Sequence, residues 1–182
     1  MRVVATEYLS LDGVFEEPGV WSGPFFNEEA GQFKWEELRA SDALLLGRKT
    51  YLGFATAWPS MTDEVGFADK MNSMTKYVVS SKLDHADWSG SQLIAGDAVE
   101  NVRRLQKQRG GDLLLSGSAQ LFNALRQEDV IDVYRFMLFP IVLGTGRRLF
   151  ADGADEKTLA LTQTRMLSSG VVILEYEPVR KP

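Results

Sequence analysis

Apolar positions along this chain follow two periods, and the switches between them mark its elements. Arg2 to Leu9, rich in Val and Tyr, predicts a first strand, closed by Ser10-Leu11-Asp12-Gly13, where Asp-Gly favours a turn. Phe26, Ala30, Phe33 and Leu38 approximate one helical face behind Asn27, a good N-cap, with Glu28 and Glu29 suited to the first turn. Ala43 to Leu46 is too short and too apolar for a helix and predicts a buried strand ended by Gly47, with a helix starting at Lys49 or Thr50 and broken before Pro59. Val65, Ala68, Met71 and Met74 mark a short helical segment. Lys76 to Ser81 predicts a strand ending in hydroxyls, and Gln92 to Ala95 another. Asp97-Ala98-Val99-Glu100 has the form of a capping box opening a helix that turns Val99, Val102 and Leu105 inward and ends at Gly110-Gly111.

Asp112 to Gly117 is then a continuous apolar strand, the mark of a parallel strand covered on both faces, and Ser118 is expected to cap a helix carrying Leu121, Phe122 and Leu125. From Ile131 the pattern changes. Asp132 to Val142 predicts a long strand around Pro140. Thr158 to Leu167 and Gly170 to Tyr176 predict two more, joined as a hairpin by Ser168-Ser169-Gly170. Strand-helix units followed by antiparallel strands predict an α/β fold, a mixed, mostly parallel sheet with helices on both faces, and the length of 182 residues suits one domain over residues 1–182.

Composition narrows the chemistry. With no cysteine, thiolate metal sites, disulfides and thiol nucleophiles are excluded. The lone histidine, His85, lies between acids in Asp84-His85-Ala86-Asp87 and reads as solvated, so a metal centre built on several histidines is excluded as well. A net charge of −5 argues against a nucleic-acid partner, although a local cationic pocket remains compatible with it. No run approaches the ~20 apolar residues of a membrane span, and Met1-Arg2-Val3-Val4-Ala5 opens a strand rather than a signal peptide. These features lead us to expect a cytoplasmic protein with a small-molecule substrate.

Three strand ends share one property. Leu46-Gly47-Arg48-Lys49-Thr50, Val79-Ser80-Ser81 and Leu115-Ser116-Gly117-Ser118 each leave an apolar strand and present small, hydroxylated or cationic groups. In a parallel sheet such ends lie side by side, where ligands of α/β proteins bind. A helix start beside a guanidinium and a hydroxyl favours a phosphate, and a Ser-Gly-Ser helix start lets backbone amides approach a pyrophosphate. The competing reading of Arg48 and Lys49 is a solvated surface turn. The loop from Gly13 to Phe26, holding Trp21, reads either as a lid over a substrate pocket or as a packed flap. Gly144-Thr145-Gly146-Arg147-Arg148-Leu149 lacks the third glycine of a dinucleotide fingerprint and reads as a turn, and no P-loop is present.

Leu-Leu-Gly-Arg-Lys-Thr-Tyr at residues 45 to 51, Tyr-Val-Val-Ser-Ser at 77 to 81 and Leu-Leu-Ser-Gly-Ser-Ala-Gln-Leu-Phe at 114 to 122, in that order, resemble the dihydrofolate reductase fold. With Leu9-Ser10-Leu11-Asp12-Gly13-Val14 and the stretch from Phe139 to Phe150, the chain is similar more specifically to the RibD C-terminal domain family, the reductase half of the riboflavin-pathway deaminase-reductase and its stand-alone relatives. The resemblance implies a dihydrofolate-reductase-like three-layer α/β/α fold and an oxidoreductase using NADPH. It implies that Gly47, Arg48, Lys49 and Thr50 with Ser80 and Ser81 receive the adenosine 2′-phosphate. Ser116, Gly117, Ser118, Ala119, Gln120 and Leu121 would receive the pyrophosphate, and Asp12 would face the substrate. It further implies reduction of the ribosyl group of 5-amino-6-(5-phosphoribosylamino)uracil in riboflavin biosynthesis, or of a related heterocycle, and it allows a homodimer. Dihydrofolate reductases carry an acid on the first helix, and the family spacing places Gly31 there. That departure counts against dihydrofolate reduction, one alternative, supports another, a non-catalytic nucleotide-binding or sensing module on the same fold, and leaves the proton donor unassigned.

Overall fold

Apolar runs too short to be helices bury both faces by lying side by side between helices. The computed structural model, which describes residues 1–150 and 153–179, has this arrangement. In chain order the elements are β1 (Arg2–Ser10), α1 (Pro18–Trp21), α2 (Glu28–Ala40), β2 (Ser41–Gly47), α3 (Arg48–Ala57), α4 (Phe67–Ser73), β3 (Thr75–Val79), β4 (Ser91–Ile94), α5 (Ala98–Gln106), β5 (Asp112–Ser116), α6 (Ala119–Gln127), β6 (Val133–Phe139), β7 (Leu159–Met166) and β8 (Val172–Pro178). They form an 8-stranded sheet in the order β4-β3-β2-β5-β1-β6-β8-β7. Strands β4 to β6 in that order pair parallel, while β8 runs antiparallel to both β6 and β7. The fold is the expected α/β class.

Alternation along the strands assigns the layers. Val3, Ala5, Ala43, Leu45, Leu113 and Leu115 point to one face, where Val102 and Leu105 of α5 and Phe122 and Leu125 of α6 cover them. Val4, Leu44, Leu46 and Leu114 point to the other, against Leu38 of α2, Tyr51 of α3 and Met71 of α4. A third cluster, around Trp21, Ala30, Met137 and Phe139, closes the end where β1 and β6 outrun β5. Strand β7 forms the sheet's edge and is exposed along nearly its whole length. Among the described residues no helix is long and apolar enough to cross a membrane.

Some element boundaries differ from the sequence reading. The strand expected to run to Val142 stops at Phe139, because Pro140 has no amide to continue the ladder. The helix after β4 ends at Gln106, ahead of the glycine pair. Lys76, read as an ordinary strand residue, is fully buried. Its ammonium donates to the Asn72 and Ser89 carbonyls at 2.8 and 2.7 Å and lies 4.1 Å from the centre of the Trp88 ring. Burial lowers its pKa to about 8.

Leu115 has no exposed surface and packs in the core on the α5/α6 face. Leu115→Ala is therefore expected to destabilise the protein by about 2–5 kcal/mol, read as a lower urea midpoint with an unchanged denaturant slope.

Candidate functional site

Strands β2 and β5 are neighbours, and each passes directly into a helix at its C-terminal end. Gly47, at the N-cap of α3, has no side chain to cap it. Ser118 occupies the N-cap of α6, but its φ of 64° is left-handed and its side chain makes no bond to its own helix. This corrects the expected capping role. The Ser118 hydroxyl instead reaches across to β2, accepting the Gly47 amide at 2.8 Å and sharing a hydrogen bond with Thr50 Oγ1 at 2.9 Å.

The fit is tight on both sides, and a larger residue would force Ser118 or Thr50 to shift. A Cβ on Gly47 would lie 2.8 Å from Ser118 Oγ, and one on Gly117 would lie 2.8 Å from Thr50 Oγ1. Gly117 itself has a φ of 59°. The consequence is electrostatic. The first amides of α3 and α6 have no intrahelical acceptor and no capping side chain, so the positive ends of two helices meet at one rim.

The other expected phosphate ligands lie along the same rim. Val79 pairs with Gly47, which sets Ser80 and Ser81 one and two residues past the sheet edge beside Arg48. Ser80 uses its hydroxyl to accept the Lys82 and Leu83 amides at 3.0 and 3.1 Å, so what it retains for a ligand is the hydroxyl proton. Lys49, Ser81 and Gln120 are exposed and Arg48 is half-buried. Ala119 and Leu121 are buried among apolar side chains, which leaves their backbone amides to face the rim.

Asp12 and Trp21 are committed to the protein. The Asp12 carboxylate accepts the Leu143 amide at 3.1 Å, the Gly144 amide at 2.8 Å and the Ser10 hydroxyl at 2.7 Å, and these bonds, Ser10's foremost, lower its pKa to about 2. Arg148 donates to its carbonyl at 2.9 Å. Asp12 thus fastens the turn after β1 to the segment after β6. Trp21 is 8% exposed, donates to the Glu16 carbonyl at 2.9 Å and meets Phe139 edge-on at 5.4 Å. At Trp21 the loop is a packed flap.

Sequence reasoning missed a set of charged groups behind the rim. Glu7, on β1, is 3% exposed; the Gly117 amide donates toward its carboxyl, and its Oε1 has no partner. Burial raises its pKa well above the ordinary carboxylate value, opposed by the Lys34 charge and the Gly117 amide and reinforced by Glu37. On the α2 side Lys34 donates to Thr6 Oγ1 at 3.1 Å and pairs with Glu37, which also pairs with Arg135 at 3.1 Å; Arg135 continues to Glu175 at 2.6 Å. Burial alone would raise Glu37's pKa, but Lys34 and Arg135 outweigh it and hold the carboxyl ionised. The signals were a single acid inside an apolar strand and a Lys-x-x-Glu pair on α2. Gly31 presents no carboxylate, and a Cβ built there would have only the Phe26 ring near it, at 3.9 Å.

Comparison with known proteins agrees with this architecture. The profile of the RibD C-terminal domain family matches residues 2–173. The uncharacterized protein YyaP of Bacillus subtilis (strain 168) is 32% identical over 179 residues, covering 96% of this chain and 94% of that one. A Shewanella sp. PV-4 protein assigned to riboflavin biosynthesis superposes with a TM-score of 0.79 at 19% identity, over 99% of this chain and 100% of its own. Dihydrofolate reductase from Enterococcus faecalis, complexed with NADP(H) and RAB-propyl, superposes with a TM-score of 0.63 at 17% identity, over 98% and 97% of the two chains.

Two outcomes test the site's construction. Gly47→Ala is expected to cost about 1–3 kcal/mol through its clash with Ser118, and Gly47→Ala/Ser118→Gly should be non-additive by about 1 kcal/mol, measured by urea unfolding. For Glu7 the folded pKa lies above the unfolded value of 4.5, so its stabilising contribution is complete below that pH and is lost as pH rises through the folded pKa. The stability of Glu7→Gln relative to the parent should therefore rise from acidic to alkaline pH in paired urea titrations, and a difference that does not vary with pH would place Glu7 outside this environment.

Proposed function

Because this chain belongs to the RibD C-terminal domain family, we propose that it is an NADPH-dependent reductase of a small heterocyclic or glycosylamine substrate, with 5-amino-6-(5-phosphoribosylamino)uracil the first substrate to test. The observation that carries this reading is the meeting of two uncapped helix N-termini at Gly47 and Ser118. Such a rim suits a ligand carrying phosphates at two places. Arg48, Lys49 and Thr50, with the Ser80 and Ser81 hydroxyls, would hold the adenosine 2′-phosphate. The amides of Ser118 to Leu121 would hold the pyrophosphate, with Gly117 giving it room to approach.

When bound, the reduced nicotinamide supplies the hydride, so the chain's share of the work is binding, orientation and exclusion of water. Its own residues suit that division. Ser118 fixes the distance between the two helix starts, and Asp12 clamps the turn after β1 to the segment after β6. Burial of Glu7 beneath Gly117 favours its protonated form, which reduces negative charge on the underside of the pyrophosphate cradle. Folate reduction ranks lower because α2 carries Gly31 where that chemistry uses an acid. The same glycine favours the second reading, a nucleotide-binding module without catalysis. Loss of NADPH absorbance on addition of the phosphoribosylaminopyrimidine or of dihydrofolate separates the readings: turnover of either identifies a reductase and its substrate, whereas NADPH binding without turnover of any heterocycle tried favours the module.

Arg48→Ala is expected to weaken NADPH binding by about 2–4 kcal/mol and NADH binding far less, since the lost bidentate contact is to the 2′-phosphate. Cofactor fluorescence titration measures both, and equal loss for the two cofactors would remove Arg48 from the 2′-phosphate site.

A further inference from the structure

Alternation along β6, β8 and β7 sorts charged from apolar side chains, and the apolar ones face outward. The charged residues of these strands are Arg135, Arg165, Glu175 and Glu177, and alternation puts all of them on the α2 face. There Arg135 pairs with Glu175, and Arg165 lies 3.8 Å from Glu36 of α2. The opposite face carries Val172, Leu174 and Tyr176 of β8, in register with Leu138, Phe136 and Tyr134 of β6 on one side and with Met166, Thr164 and Leu161 of β7 on the other. None of them is charged.

In the parallel half of the sheet α5 and α6 cover this same face, with Val102, Leu105, Phe122 and Leu125 packed over β1, β2 and β5. Phe122 still reaches Tyr134 of β6, at 5.9 Å between ring centres. Beyond β6 the cover thins. Val172 and Leu174 are half-buried and join none of the apolar clusters among the described residues, while Leu161 and Met166 of the edge strand are 54% and 79% exposed. Ion pairs beneath a helix and apolar side chains in water reverse the usual order for antiparallel strands with one wet face. An apolar patch continuous across neighbouring strands marks a contact surface. Its composition selects the partner. About a two-fold axis a surface meets its own copy, so any charge on it would meet its like. This face has none, whereas a net charge of −5 disfavours contact between copies through the charged remainder of the surface.

We propose that the outward face of β8 and β7 is the interface of a two-fold homodimer, in which the sheets of two copies pack face to face through Val172, Leu174, Tyr176, Leu161 and Met166. Sheets packed in this way lie about 10 Å apart with their side chains interdigitated. Strands β1 and β6 separate this face from β2 and β5, so the dimer leaves one phosphate rim open on each protomer. The interface is independent of what that rim binds.

Sedimentation equilibrium of the full chain over a concentration series tests this, with far-UV circular dichroism to check that each variant is folded. The parent is expected at twice the chain mass. Leu161→Glu/Met166→Glu brings two carboxylates per copy into the contact and should raise the dimer's dissociation constant at least about hundredfold. Both side chains are exposed on the single chain, so its fold should be unchanged. Met166→Glu alone should weaken the dimer in the same direction by less. Val65→Glu, at a 63% exposed apolar position between α3 and α4, should leave it intact. The proposal is overturned if the parent sediments as a monomer up to about 100 μM, or if Val65→Glu dissociates the dimer as well. It is equally overturned if the folded double variant stays dimeric, as pairing through the backbone of the β7 edge or through another surface would allow.

Discussion

The site depends on where one hydroxyl goes. Ser118 stands at the N-cap of α6, yet its left-handed backbone sends the side chain across the gap between β5 and β2, where it joins the Gly47 amide and the Thr50 hydroxyl. A capping serine would have neutralised part of α6's positive end. This one leaves it open and fastens it beside the equally open end of α3. Gly47 and Gly117 allow this fit without a shift, because Cβ atoms there would meet Ser118 and Thr50 at 2.8 Å. Sequence, backbone conformation and electrostatics therefore converge on a single rim of positive potential at the C-terminal ends of neighbouring parallel strands.

The charges behind that rim are arranged by environment rather than by residue type. Glu7 and Glu37 are both buried carboxyls, yet burial drives Glu7 toward its neutral form while Lys34 and Arg135 keep Glu37 ionised. An acid whose burial favours the neutral form, set beneath Gly117, lowers the repulsion toward an anion held above it. The ionised acid sits between cations on the α2 side, where the Lys34–Glu37–Arg135–Glu175 chain ties the helix to β6 and β8.

Much of this was legible in the amino-acid sequence because it follows from local pattern. The apolar runs ending at Gly47 and Ser116 could only be strands buried on both faces, and the residues after them had to meet at one edge. The direction of a side chain was not legible. Ser118 reads as a cap unless its φ is known, and Asp12 reads as a free acid until the Leu143 and Gly144 amides fold onto it. Trp21 in a glycine- and proline-rich loop looks exposed, but Phe139, more than a hundred positions later in the chain, packs against it. Glu7 was hidden by its company, since one acid in a Val- and Tyr-rich strand is ordinarily the solvent-facing member of an alternating pair. In each case a partner distant in sequence decided the outcome.

The central claim is that the paired helix starts of α3 and α6 hold the phosphates of a dinucleotide. Titration of NADP⁺ into isotopically labelled protein, followed residue by residue through the backbone amides, tests it most directly. The account predicts saturable shifts concentrated at Arg48, Lys49 and Thr50 and at Ala119, Gln120 and Leu121, with Ser118 moving with both groups. Saturable binding that leaves those amides unperturbed while moving others, or no binding at all, would contradict it.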